Sequence, residues 1–230
     1  MVPQKKDNLI LSEADRKIDE FNRIGLHYNL VAKEIYRKRR SCDDPFDDQS
    51  FMQYIIAGLI SFDMGRMMGK VEEAYDFNKG FGSRLNRKVS KIRANLEQVT
   101  SLSVNLTEID LRKHEHNILN AYRELSDDNK DALNKNGHFY VGATKILHFL
   151  NPELFIIVDS YATKAFQKAH GVTLEYSSER YLERMRYAQQ DIREFGLEQF
   201  KALEKDTPIT RIYDKLTFMT GKEILEGGER

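Results

Sequence analysis

The chain has 230 residues, 36 Lys+Arg against 36 Asp+Glu, and 40% hydrophobic residues. That length and apolar content allow a sizeable core in one large domain or two small helical lobes, and a net charge of zero excludes a uniformly basic coat while leaving room for a local basic patch. A single cysteine, Cys42, excludes internal disulfides and cysteine-rich metal sites and fits the cytoplasm.

The start, MVPQKKDNLI, lacks the sustained apolar region of a secretory signal, and the longest apolar run, 54–60, is too short to span a bilayer. Helical periodicity dominates the rest of the chain. Ser12, with Asp15 three residues on, predicts a capped helix start, and Ile18, Phe21 and Ile24 recur at spacing three until Gly25. Leu30, Val31 and Ile35 lead into a second helix that closes on the basic run 37–40, and 43–49 reads as an acidic loop. Residues 51–68 predict a long helix, nearly apolar all round at its start and so central to one lobe. Within it Asp63 and Arg66 lie one turn apart, either as a buried ion pair or as the wall of a cleft.

Residues 70–82 read as a loop or broken helix, and 85–99 as an amphipathic basic helix. Asn105 heads a cap pattern that predicts a helix running towards Leu125; Ser126 caps a further helix ending near Gly137. Polar helices occupy 177–195 and 197–203, and Thr207 with Pro208 opens a last helix over 209–225. Only 154–158 (LFIIV) has strand composition, and an extended linker between helices explains it equally well. The fold class is therefore all-α.

The most informative stretch is 137–166, GHFYVGATKILHFLNPELFIIVDSYATKAF. It places Lys145 and Asp159, fourteen positions apart, inside the most apolar part of the chain, where a charge costs free energy unless it is paired or used. Gly142 allows a sharp turn and exposes backbone N–H groups at a helix start, which can hold a phosphate; a plain helix cap is the alternative. Lys145 shares a helix face with His148, and desolvated there it could act as an amine nucleophile or hold an anion, or simply snorkel at a rim. Asp159 stands where an N-cap belongs, and a carboxylate aimed into a cleft can also stabilise a developing cation or activate water.

These residues resemble the helix-hairpin-helix DNA glycosylase superfamily: a turn with Val141-Gly142, a helix, a loop, an apolar run and Val158-Asp159 opening the next helix. The resemblance implies a two-lobed all-α fold with a central cleft, one lobe core at 45–135 and a hairpin-containing lobe at 136–230 joined by the N-terminal helices 12–41. It implies hydrolysis of an N-glycosidic bond in a nucleotide flipped out of duplex DNA, with Asp159 as the catalytic carboxylate and, if lyase chemistry is present, Lys145 as nucleophile. Tyr140, Gly142 and Thr144 would hold backbone phosphate. The chain departs from the family pattern in lacking the first hairpin glycine and its proline, and strict register from Gly142 puts the family's lysine position on Thr144, one residue before Lys145. With one cysteine there is no iron–sulfur cluster to expect, and no cofactor is called for. The same segment, with Arg211, Asp214 and Lys215, resembles a group of uncharacterised bacterial and phage proteins.

Two basic clusters, Lys33 with the 37–40 run and Arg84, Arg87, Lys88, Lys91 and Arg93, recur at helical spacing and could contact DNA phosphates or form ordinary solvated faces. His114 and His116 are spaced wrongly for one helix face and have no third ligand, so no metal is expected. The alternative function is a non-catalytic DNA- or protein-binding module on the same scaffold.

Overall fold

Every backbone N–H and C=O that leaves water needs a partner, and among the described residues this chain supplies most of them with helices. The computed structural model describes residues 8–64, 74–97, 104–127, 132–134 and 137–227. Among the described residues there are ten α-helices: α1 (Ala14–Ile24), α2 (Leu26–Arg40), α3 (Gln49–Leu59), α4 (Gly80–Leu96), α5 (Glu115–Ser126), α6 (Tyr140–Leu150), α7 (Ser160–His170), α8 (Ser178–Phe195), α9 (Leu197–Ala202) and α10 (Ile209–Gly227). No strand occurs among the described residues. One continuous cluster of buried apolar side chains draws on all ten helices. No helix is long and apolar enough to cross a membrane among the described residues.

The most enclosed helix is α6, in which every residue from Gly142 to Leu150 is buried. It packs against α2, α3 and α5. The expected central helix, α3, is amphipathic by comparison, with Gln53 exposed. It also ends earlier than 68: at Ile60–Met64 it widens into a single π-helical turn, and Arg66 lies outside the described residues, so the Asp63–Arg66 pair does too.

Two helix starts differ from expectation for the same local reason. Ser12 is not an N-cap; its hydroxyl donates to the Leu9 carbonyl (2.9 Å), because Asn8 already organises a turn by accepting the Ile10 N–H (3.0 Å), and α1 begins at Ala14. The Asn105 carboxamide likewise accepts both the Thr107 N–H (2.9 Å) and its hydroxyl (2.7 Å), a side-chain turn that competes with helix. So 104–114 forms turns and α5 starts only at Glu115. The further helix expected after Ser126 falls mainly outside the described residues, and 132–134, which are described, are not helical.

The pairing of α7 with α10 is the most extensive in the fold and depends on a glycine. A Cβ at Gly221 would lie 2.0 Å from the Tyr161 carbonyl oxygen, a backbone atom that cannot swing aside. Gly221→Ala is therefore expected to destabilise the protein by about 1–3 kcal/mol, read as a lower urea midpoint; an unchanged midpoint would refute the close approach.

Candidate functional site

The segment between α6 and α7 decides where Asp159 stands. Residues 154–158 are buried and pair with no strand among the described residues; the Leu154 and Phe155 N–H groups turn back onto the Asn151 carbonyl (3.2 and 3.1 Å), and side chains must serve groups further along. Three do so. His148 Nδ1 meets the Phe155 carbonyl (2.7 Å), the Tyr181 hydroxyl donates to the Ile156 carbonyl (3.1 Å), and the Thr144 hydroxyl oxygen accepts the Val158 N–H (3.1 Å). With Nδ1 donating to Phe155, His148 Nε2 accepts from the Tyr36 hydroxyl (2.6 Å). Burial pushes the imidazole down to about 3, against the Phe155 carbonyl, which favours the charged form, and with the help of the Arg211 charge. His148 is thus a neutral brace for the connector.

Asp159 comes directly after it as the N-cap of α7, its carboxylate accepting the Ala162 N–H (2.8 Å). It is half-buried, and burial is the largest influence on it, raising its pKa; the Ala162 N–H and the Lys145 charge pull the other way. Lys145, on α6, is buried, donates from Nζ to the Phe62 carbonyl (3.0 Å) and lies 5.0 Å from the centre of the Phe62 ring. Phe62 belongs to the π-helical turn, so the irregular end of α3 presents both a carbonyl and an aromatic face to the amine.

Helix α10 completes the group. Arg211 is ion-paired to Asp214 one turn on, both nearly inaccessible, and a second guanidinium N–H reaches Asn29 (3.2 Å). The guanidinium carbon sits 5.1 Å from the Phe21 ring centre and 5.5 Å from that of Phe62. Burial raises the Asp214 carboxyl to about 6; Arg211 and Lys145 pull it down, while the neighbouring Asp159 charge pushes it further up. Asp159 and Asp214 are therefore close enough to feel one another, as are both carboxyls and Lys145. Lys145 and Arg211 meet over Phe62, with Asp159 and Asp214 near enough to act on both, and a half-buried carboxylate is the member nearest solvent. Such a set can hold a cation or a developing positive charge against Asp159, and can pass a proton between two carboxyls of raised pKa.

The remaining sequence-derived candidates lie elsewhere or are structurally engaged. Thr144 is buried, and its hydroxyl donates to Val141 (2.8 Å) while accepting from Val158. Gly142 makes room for an aromatic ring: a Cβ there would meet Phe139 at 2.1 Å. Tyr140 lies in a three-ring stack between His138 (4.6 Å) and Tyr176 (5.7 Å). On α4, Lys88 is fully buried and ion-paired with Glu124 (3.2 Å), and Lys91 reaches the same carboxylate (3.3 Å). Arg87 is exposed and donates to the Ser83 hydroxyl (2.7 Å), and Arg84 donates to the Leu133 carbonyl (3.5 Å). Of the other basic cluster, Arg39 is buried and donates to the Leu150 carbonyl (2.8 Å), closing α6 rather than meeting a ligand. Sequence alone assigns no role to the charged pair on α10, although Arg211 and Asp214 stand one turn apart in the apolar run ITRIYDKLTFM, the same signal that singles out Lys145 and Asp159. No protein family, characterised protein or solved structure matches this chain.

Proposed function

We propose that this protein binds DNA and hydrolyses the N-glycosidic bond of a damaged or modified base flipped out of the duplex. The observation that carries the reading is Asp159: a half-buried carboxylate of raised pKa at a helix start, beside a buried lysine and a second acid. In this reading the group lies in a cleft between two helical lobes. As the bond from C1′ to the base nitrogen breaks, the bonding electrons leave with the base and the sugar becomes oxocarbenium-like. Asp159 stabilises that cation and takes a proton from the water that adds to C1′, and a proton delivered to the departing base completes the hydrolysis. Exposed cations on α4, Arg87 and Lys91, would contact backbone phosphate. Lys145 would supply an amine for lyase chemistry only by giving up its bond to Phe62. That engagement favours monofunctional hydrolysis, and it is also the one observation on the side of the rival reading, a binding module in which the charged group only holds the helices together.

The decisive variant is Asp159→Asn, because asparagine caps a helix as well as aspartate does and leaves the fold intact. Base release from duplexes carrying a panel of damaged and modified bases is expected for the wild type and reduced about 10²–10⁴-fold in the variant. Absence of release from every substrate, or release that survives the substitution, would overturn the proposal.

A further inference from the structure

A second candidate site includes Arg211 but none of Asp159, Lys145 and Asp214. Between α2 and the segment joining α9 to α10 lies a recess of about 290 Å³. Its wall includes Lys33 and Arg40 of α2, Lys205 of the connecting segment, and Arg211 and Lys215 of α10. The charges there do not cancel. Lys215 is buried and spends its amine on both Glu204 oxygens (2.7 and 2.6 Å) and on Asn22 (2.7 Å), so that lysine and that glutamate neutralise one another. Lys33, Arg40 and Lys205 are exposed and form no ion pair among the described residues. Against them stands one unpaired carboxylate, Asp206, whose backbone sits in the left-handed region at φ 61. Arg211 is only 2% exposed, and its Nε has no hydrogen-bond partner, a donor left over in the wall of a cationic hollow.

We propose that this recess is a binding site for a phosphate monoester. Several unpaired cations converging on one small space select a compact dianion over a single carboxylate, and guanidinium and ammonium donors both suit phosphoryl oxygens. The volume is at the lower edge of small-molecule sites, enough for a phosphoryl group and a small part of what carries it. A wider hollow of about 580 Å³ adjoins it and shares Arg40, Lys205 and Thr207, so whatever the phosphate is attached to has space alongside. Inorganic phosphate, a nucleoside monophosphate and a 5′-phosphorylated DNA end present the same chemistry. The recess shares Arg211 with the Asp159 group, but Lys33, Arg40 and Lys205 belong to the recess alone, so variants there test it separately from the glycosidic reading.

Titration calorimetry with inorganic phosphate, at ionic strength held constant with sodium chloride, tests the proposal on the full chain. One saturable equivalent is expected. Arg40→Gln and Lys205→Gln, both at exposed positions that the fold does not need, are each expected to weaken it about tenfold. Lys113→Gln, at another exposed lysine, is expected to leave it unchanged. Tighter binding of a nucleoside 5′-monophosphate than of phosphate assigns a small ligand, whereas preference for a 5′-phosphorylated over a 5′-hydroxyl oligonucleotide assigns a nucleic-acid end. No saturable phosphate binding, or equal binding by wild type and both glutamine variants, would overturn the assignment.

Discussion

Asp214→Asn is expected to make the protein markedly more sensitive to acid than the wild type, with the difference confined to about pH 4–6. Two buried groups set opposite slopes there. His148 is held neutral, its pKa pushed down to about 3 from the ordinary value of 6.5. The stability it contributes is complete above pH 6.5 and is lost as pH falls towards 3, because the unfolded chain takes up a proton that the folded chain refuses. The whole loss is about 5 kcal/mol. Asp214 is raised to about 6 from 3.8. Its contribution is complete below pH 3.8 and is lost as pH rises through 6, about 3 kcal/mol in all. Between pH 4 and 6 one group gains about 1.4 kcal/mol per pH unit while the other loses the same, so together they leave the wild type nearly level. Asp159, also raised by burial, adds to the Asp214 side. Removing the Asp214 titration exposes the histidine slope. Urea unfolding at pH 4, 5 and 6 should show the variant's stability falling on acidification by about 1.4 kcal/mol per unit more than that of the wild type; parallel curves would show that Asp214 ionises normally in the fold.

Much of the frame is legible in the sequence because local rules govern it. An apolar run with no polar face reads as an enclosed helix, as α6 is, and an aspartate after LFIIV reads as the cap that Asp159 forms. That 154–158 connects two helices without being helix or strand is also legible in outline, since Pro152 and Asp159 bracket it. What composition does not contain is its solution to the backbone problem, in which side chains from α6 and α8 replace a partner strand. The late start of α5 comes from Asn105, whose carboxamide can cap a helix or close a turn; the choice falls to the turn, and the Leu106 N–H is taken by the distant Glu153 carbonyl (2.9 Å). The π-helical turn at the end of α3 is equally beyond local pattern, because the contact made there comes from Lys145, far along the chain. For the site, the sequence singles out Lys145 and Asp159 as charges in apolar surroundings, and the same criterion applies to Arg211 and Asp214. It cannot show that α10 folds along α7 and so brings the second pair to the first.

That second pair should respond asymmetrically to the loss of either partner. Asp214→Leu is expected to cost about 3–5 kcal/mol, because it strands the Arg211 guanidinium in the interior with no carboxylate. A guanidinium keeps its charge at any accessible pH, whereas the wild type loses part of its Asp214 contribution between pH 5 and 6, so the cost should be about 1 kcal/mol larger at pH 5 than at pH 8. Arg211→Met strands Asp214 instead, and that residue has an escape: burial has already raised it to about 6, and a neighbouring carboxylate, Asp159, pushes in the same direction. At pH 5 Asp214 is largely protonated and the loss of its partner costs little in charge, leaving chiefly the Asn29 bond and the contacts with Phe21 and Phe62. At pH 8 the unfolded aspartate is ionised while the folded one must stay protonated or be charged unpaired, so the penalty grows. Arg211→Met should therefore be clearly less damaging than Asp214→Leu at pH 5 and approach it at pH 8. The double variant, apolar at both positions, should recover most of the stability at either pH, since removing both charges removes the uncompensated one. Urea unfolding of the three variants at the two pH values measures all of this. Equal penalties for the two single variants at pH 5, or a double variant as unstable as Asp214→Leu, would mean that the pair is held by contacts other than its charges.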